Sequence, residues 1–233
     1  SINTAGPLGA QLLKAQGYHT NYEGMGEKGS FLAIGPSWAS AAAAPLAYFK
    51  FYSSEGGMRV PLIIAGPGIQ NAGSVNRELS YVTDLAPTVL EITGVKHPGH
   101  RYGGKPIEPM AGKSLLPLLT NQQTTLRQSD EIVGFELGGN SALFKGDYKI
   151  VINIGPYGDK QWHLYNIVKD PGENQDLRQS HAEVFDSMMQ DYQNYTQQHQ
   201  VLPVPAGYQQ TRQVFINGLR DRASGGILHL LMT

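Results

Sequence analysis

Residues 131–195 place the tightest constraint on the fold, because four short strand-forming runs are followed by one long amphipathic helical pattern. Glu131 to Phe135, Ala142 to Phe144, Tyr148 to Ile152 and Trp162 to Ile167 read as strands. Lys145-Gly146-Asp147 supplies the hairpin turn between the second and third, and Asp170-Pro171-Gly172 closes the last. Ser180 with Glu183 makes a capping-box pattern. Beyond it Val184, Phe185, Met188, Tyr192 and Tyr195 recur at helical spacing, so they share one face. Antiparallel strands covered by one helix form a small α+β unit.

The preceding stretch has another texture. Ser37 to Ala44 is a run of small residues that reads as a helix stopped by Pro45. The apolar run Leu62 to Ala65 reads as a strand buried on both faces, as in a parallel sheet. Pro61 stands at its start and Gly66-Pro67-Gly68 at its end. Thr83 or Asp84 caps a helix reaching Glu91 or Ile92, with Leu85, Val89 and Ile92 along its apolar face and Gly94 as its stop. Residues 96–112 read as an exposed loop, and Lys113 to Leu119 as a helical turn. Short helices are expected over 8–17 and 208–222, and the apolar tail Ile227 to Met232 is expected to dock on a surface or a partner. Trp38 and Trp162 are expected in the core.

Composition removes several function classes. There is no cysteine among the 233 residues, which excludes disulfides, thiolate metal sites and a thiol nucleophile within this chain. Eighteen basic residues against nineteen acidic ones leave a formal charge of −1, with no surplus to favour nucleic acid or anionic lipid. No apolar run reaches the roughly eighteen residues of a membrane span. The opening Ser1-Ile2-Asn3-Thr4 has no Met and no signal-peptide pattern, so the sequence is expected to be processed or a fragment. The compartment, periplasm or cytoplasm, stays open.

Three blocks carry a resemblance. The first is Gly35-Pro36-Ser37-Trp38-Ala39, then Ala44-Pro45, Lys50 and Glu55-Gly56-Gly57-Met58-Arg59-Val60-Pro61. The second is Asp84-Leu85-Ala86-Pro87-Thr88-Val89-Leu90 with Gly94. The third is Trp162-His163-Leu164-Tyr165-Asn166, then Asp170-Pro171-Gly172-Glu173 to Asp176-Leu177. In order and spacing they resemble type I sulfatases, and Phe135-Glu136-Leu137-Gly138 with Phe144 to Lys149 is similar to bacterial arylsulfatases. The resemblance implies an α/β fold: the end of an alkaline-phosphatase-like α/β domain, followed by a small α+β domain of antiparallel sheet and one helix. It makes residues 1–125 the C-terminal part of the catalytic domain, 126–202 the small subdomain and 203–233 a C-terminal extension.

The same resemblance implies a sulfate-ester hydrolase that acts on a small-molecule sulfate ester, and the charge balance and lack of a long apolar run lead to no expected nucleic-acid or membrane partner. Such enzymes use a formylglycine made from Cys or Ser in a C/S-x-P-x-R motif, and a calcium ion held by carboxylates and an amide. This sequence contains neither motif, so the chain alone is expected to be inactive and to hold no calcium ligands. Lys50 matches the family lysine five positions before the glutamate of Glu-Gly-Gly. The resemblance makes it a contact to the sulfate oxygens and the leaving group, a task that suits a compact ammonium with three donors. Weaker substrate-binding candidates are His97, in a His97-Pro98-Gly99-His100 loop, and Glu136 and Asn140. Against each stands a plainer reading: an exposed loop for His97, a polar pair at strand ends for the other two. Glu55 and Arg59 read as a structural salt bridge or cap.

Two other readings remain open from sequence. One is a phosphodiesterase or phosphonate hydrolase of the same superfamily. The other is a stable non-catalytic fragment or binding module, which would self-associate through the exposed edge of the Leu62–Ile64 strand.

Overall fold

The computed structural model describes residues 11, 13–15, 17–31, 34–209, 213, 216 and 217. The expected helices over 8–17 and 208–222 lie partly outside these residues, and the apolar tail entirely so. The chain divides into two compact units, one made of residues 1–59 and 132–233, the other of Val60–Glu131.

The first unit is built on a four-stranded antiparallel sheet in the order β3-β4-β5-β6, formed by Ile132–Leu137, Asn140–Lys145, Tyr148–Ile152 and Trp162–Asn166. Each strand pairs with the next in sequence, as the hairpin signals required. Gly138 and Gly139 join the first pair with both φ angles positive (57° and 93°), the condition for a tight two-residue turn that follows the strand twist. The register sets two faces. Leu143 pairs with Ile150 and Ile150 with Leu164, so these three point one way. They form a buried core with Met188 of the long helix α5 (Ala182–Gln198). All five residues assigned to the apolar stripe of that helix pack there, as does Trp162. The capping box does not form. The helix begins after His181, and Ser180 instead donates to the carbonyl of Leu177.

The opposite face of the sheet carries Asn140, Ala142, Phe144, Lys149 and Val151. Against it lies the segment after helix α1 (Gly35–Ala43), up to the one-turn helix α2 (Glu55–Met58). Trp38 of α1 is exposed rather than in the core, because α1 buries none of its residues among those described.

The second unit is held by polar contacts around one carboxylate. Asp84 is fully buried, ending a 3-10 turn (Val82–Asp84) at the start of α3 (Leu85–Ile92). It does not cap α3 with its side chain. It accepts hydrogen bonds from the amides of Tyr81 (2.7 Å) and Lys113 (2.8 Å) and pairs with Arg127 at 2.7 and 2.9 Å. A small apolar cluster of Leu115, Leu118 and Leu126 joins α4 (Leu116–Leu119), and Ile64 packs on it. Within residues 96–112, Arg101–Tyr102 and Lys105–Pro106 form a two-stranded hairpin, β1 and β2.

Leu85, Val89 and Ile92 share a face of α3 as read, and that face is exposed. The reading of Leu62 to Ala65 is corrected: it is not a strand, and Ile63 is 90% exposed. A strand buried on both faces takes its ladder and its cover from neighbours, and no neighbouring strand pairs with this segment among the described residues. The strand edge expected to drive self-association is therefore not formed.

Candidate functional site

Lys50 stands on a turn whose shape is set by the glycine pair behind it. A Cβ on Gly56 would fall against the carbonyl oxygens of Ala47 and Tyr48, and one on Gly57 against those of Phe49 and Tyr52. Only glycine lets α2 approach the turn this closely. The amide of Gly56 donates to Ala47 O at 2.8 Å, and that of Tyr52 to Phe49 O at 3.1 Å. This is the physical content of the Lys-to-Glu-Gly-Gly spacing.

The turn is strained. Tyr48 and Phe51, bracketing Phe49 and Lys50, have φ of 60° and 84°. Left-handed backbone at bulky residues costs on the order of 1–3 kcal/mol each and persists only where the surroundings over-determine it. Here the surroundings are side chains of β4 and β5 and of the loops that follow β5 and β6. Asn140 donates to the carbonyl of Phe51 at 2.6 Å and accepts from the amide of Ile154 at 2.8 Å. Asn153 accepts from the amide of Ser53 and donates to Ser54 Oγ, both at 2.8 Å. The ammonium of Lys149, fully buried, meets Glu55 Oε1 at 2.9 Å and Glu173 Oε1 at 2.8 Å. Glu173 Oε2 also accepts from the amide of Glu55 at 3.3 Å, and Arg59 closes on Glu55 Oε2 at 2.6 Å. Two cations thus face two carboxylates, which confirms the structural salt bridge read for Glu55 and Arg59.

Aromatic rings complete the turn's packing. Tyr48 and Tyr52 lie 4.9 Å apart, Phe49 and Tyr52 5.3 Å, Phe49 and Tyr157 5.8 Å, centroid to centroid. Burial pushes the Tyr48 phenol above its ordinary pKa, and the charges of Asp159 and Glu173 push it further. Tyr48, Phe49 and Tyr157 line an open cavity of about 410 Å³ with Pro36, Ser37, Ser40 and Ala47. Lys50 itself is exposed, its ammonium 5.4 Å from the centre of the Phe51 ring. Among the described residues it makes no ion pair, so its charge is free for an anion.

The candidates from sequence are sorted by the sheet. Asn140 is joined to the Lys50 turn, but it is buried with its amide engaged at both ends. Glu136 pairs in register with Ser141, on the face that packs α5, and accepts from Ser141 Oγ at 2.6 Å. It therefore lies across the sheet from Asn140. Tyr192 of α5 adjoins it, and burial raises that phenol to about 12; a Ser141 hydrogen bond lowers it and Glu136 raises it. His97 belongs to the second unit, on an exposed loop where its Nδ1 accepts from the amide of Gly99 at 3.0 Å. Among the described residues no three His, Asp or Glu side chains converge as metal ligands, so these residues by themselves do not fit a calcium site. No described helix is long and apolar enough to cross a membrane.

Lys50 is thus an exposed lysine between two left-handed residues, Tyr48 and Phe51, on a turn that Gly56 and Gly57 allow α2 to approach closely. Residues 47–200 match the family described as N-sulphoglucosamine sulphohydrolase, C-terminal, and the chain belongs to that family. It is 32% identical over 189 residues to an uncharacterised sulfatase of Schizosaccharomyces pombe, covering 81% of this chain and 34% of that protein. It is 39% identical over 99 residues to an arylsulfatase of Klebsiella aerogenes, covering 42% of this chain and 21% of that protein. The chain thus spans about a third or less of these curated relatives. The crystal structure of Ps i-CgsB in complex with k-i-k-neocarrahexaose shares its fold, with a TM-score of 0.54 at 22% identity over 73% of this chain and 36% of that one.

From sequence, Lys149 and Glu173 appear only inside the blocks of resemblance, with no role, and Asn153 is not singled out. Lys149 left a further signal, a lysine in the inward register of an otherwise apolar strand, Tyr148-Lys149-Ile150-Val151-Ile152.

Proposed function

We propose that the whole protein is a sulfuric ester hydrolase of the arylsulfatase type, and that this chain supplies it with Lys50 as a contact to sulfate. The observation that carries the reading is the free ammonium on a strained turn, at the family's spacing ahead of Glu55-Gly56-Gly57. Cleaving a sulfate ester moves negative charge onto the departing oxygen and among the sulfonyl oxygens. A preorganised cation beside those oxygens stabilises that charge without reorganising during the reaction. The strain at Tyr48 and Phe51 fits such preorganisation.

In this reading the nucleophile and the calcium ligands belong to residues outside this chain, and the chain alone is inactive. Residues 1–125 complete an alkaline-phosphatase-like α/β domain, and 126–202 form its small subdomain. The exposed Leu62, Ile63, Val89 and Ile92 support this, being the apolar surface such a domain would cover. In the whole protein, Lys50→Ala is expected to lower kcat/KM for a chromogenic aryl sulfate by about tenfold or more while leaving Tm nearly unchanged. Unchanged kinetics would remove Lys50 from the site. Turnover of that substrate by the 233-residue chain alone would refute its inactivity.

A further inference from the structure

We propose that a buried polar cluster beside one face of the sheet is a positioning device for Lys50, in which Asn140 and Lys149 of the strands and Asn153 and Glu173 of the loops that follow β5 and β6 fix the lysine's place by acting through residues 47–57. The proposal rests on the reading of Lys50 as a sulfate contact.

Three features carry it. The first is burial. Lys149 is wholly buried, Asn140 1% exposed, Asn153 6% and Glu173 8%, so none of the four is free to meet a substrate. Their influence has to pass through what they hold. The second is what they hold. Each reaches the segment that carries Lys50: Phe51 O for Asn140, Ser53 N and Ser54 Oγ for Asn153, the Glu55 carboxylate for Lys149 and the Glu55 amide for Glu173. The contacts follow one another along the chain from 51 to 55, and two left-handed aromatic residues lie just before and within that span. A turn that is unfavourable by itself is thereby kept in one conformation.

The third is the contrast in chemistry. The other face of this sheet packs chiefly through Leu143, Ile150 and Leu164, with Ser141 bonded to Glu136 beside them, whereas the Lys149 face adds an ion-pair and amide cluster to Ala142, Phe144 and Val151. Buried ion pairs and amides are a poor way to gain stability, since apolar side chains of similar volume do as well or better. They are a good way to fix a backbone in register, because each bond has one partner and one direction. Displacing a substrate-facing group by about 1 Å can cost about a hundredfold in rate.

The experiment is a double-mutant cycle in the whole protein. Asn153→Ala, Lys50→Ala and the double variant are assayed for kcat and KM on a chromogenic aryl sulfate, with Tm measured alongside. Asn153→Ala is expected to lower kcat/KM by about tenfold or more when Lys50 is present. In the Lys50→Ala background it is expected to lower it by less than about threefold, since nothing is left to misplace. A merely structural role gives the same fractional loss in both backgrounds, and that result overturns the proposal. So does an unchanged kcat/KM in Asn153→Ala while Lys50→Ala is impaired. Should Lys50→Ala itself leave the rate untouched, the reading of Lys50 fails and the positioning claim with it. If Asn153→Ala does not accumulate as folded protein, Asn140→Ser takes its place in the same cycle with the same expected outcomes.

Discussion

The two faces of one sheet solve different problems with residues that alternate along the same strands. On one side Leu143, Ile150 and Leu164 meet Met188 and the stripe of α5, a contact made mostly of apolar volume, with the Ser141–Glu136 hydrogen bond beside it. On the other, Asn140, Lys149 and Asn153 meet a strained turn through directed bonds between 2.6 and 2.9 Å. Apolar packing is non-directional and tolerates exchange of one shape for another of equal size. A buried ammonium between two carboxylates tolerates almost none. The difference teaches that one side of a sheet can be weighted towards apolar packing and the other towards directed bonds.

The sharpest way to break this comparison is Lys149→Ala. It leaves Glu55 and Glu173 facing each other in the interior and is expected to cost about 3–5 kcal/mol in urea unfolding. Exchanging all three together, Lys149→Met with Glu55→Gln and Glu173→Gln, is expected to recover most of that loss. A single variant as stable as the parent would mean the polar face carries no strain of charge. Next comes Leu143→Ala on the other face, expected to cost about 2–5 kcal/mol, whereas Leu143→Met should stay below about 1.5. Equal losses for the two would deny the apolar face its tolerance. Asn153→Ala should cost about 1–3 kcal/mol by stranding the amide of Ser53.

The smallest effects are in pH. Burial disfavours the Asp176 anion, but bonds from the Arg178 amide, His163 and the Leu164 amide outweigh it and hold its pKa below the ordinary 3.8. Its stabilising contribution is therefore present above about pH 4 and fades as pH falls through the depressed value. Asp176→Asn should flatten the stability profile in that acid window. Tyr192 shifts the other way, from 10.0 to about 12, chiefly by burial, with Ser141 lowering it and Glu136 raising it further. Its contribution is complete below pH 10 and is lost as pH rises towards about 12. Tyr192→Phe should remove that alkaline slope and leave the acid limb alone.

How much was legible follows the range of the forces involved. β5 was read at its observed limits, Tyr148 and Ile152, and the five residues of the α5 stripe all pack as their spacing required, because alternation and helical period are local. The run Leu62–Ala65 misled for the opposite reason: a strand buried on both faces is defined by what lies beside it. Ser180 and Glu183 fit a capping box on paper, yet Ser180 is spent one turn earlier on Leu177. Lys50 was singled out by the resemblance, through its spacing to the glycine pair. The bonds that hold its turn were not legible, since Lys149 meets partners 94 and 24 positions away. No window along the chain contains both ends of such a bond.

The register of β4 against β5 governs more than their pairing. Because side chains alternate at every step, one residue inserted within β4 or β5 would send the amides and the ammonium beyond it to the α5 side and bring leucines under the strained loop. Length changes in these strands should therefore survive only in pairs. A survey of natural variants can look for that parity rule without any assay.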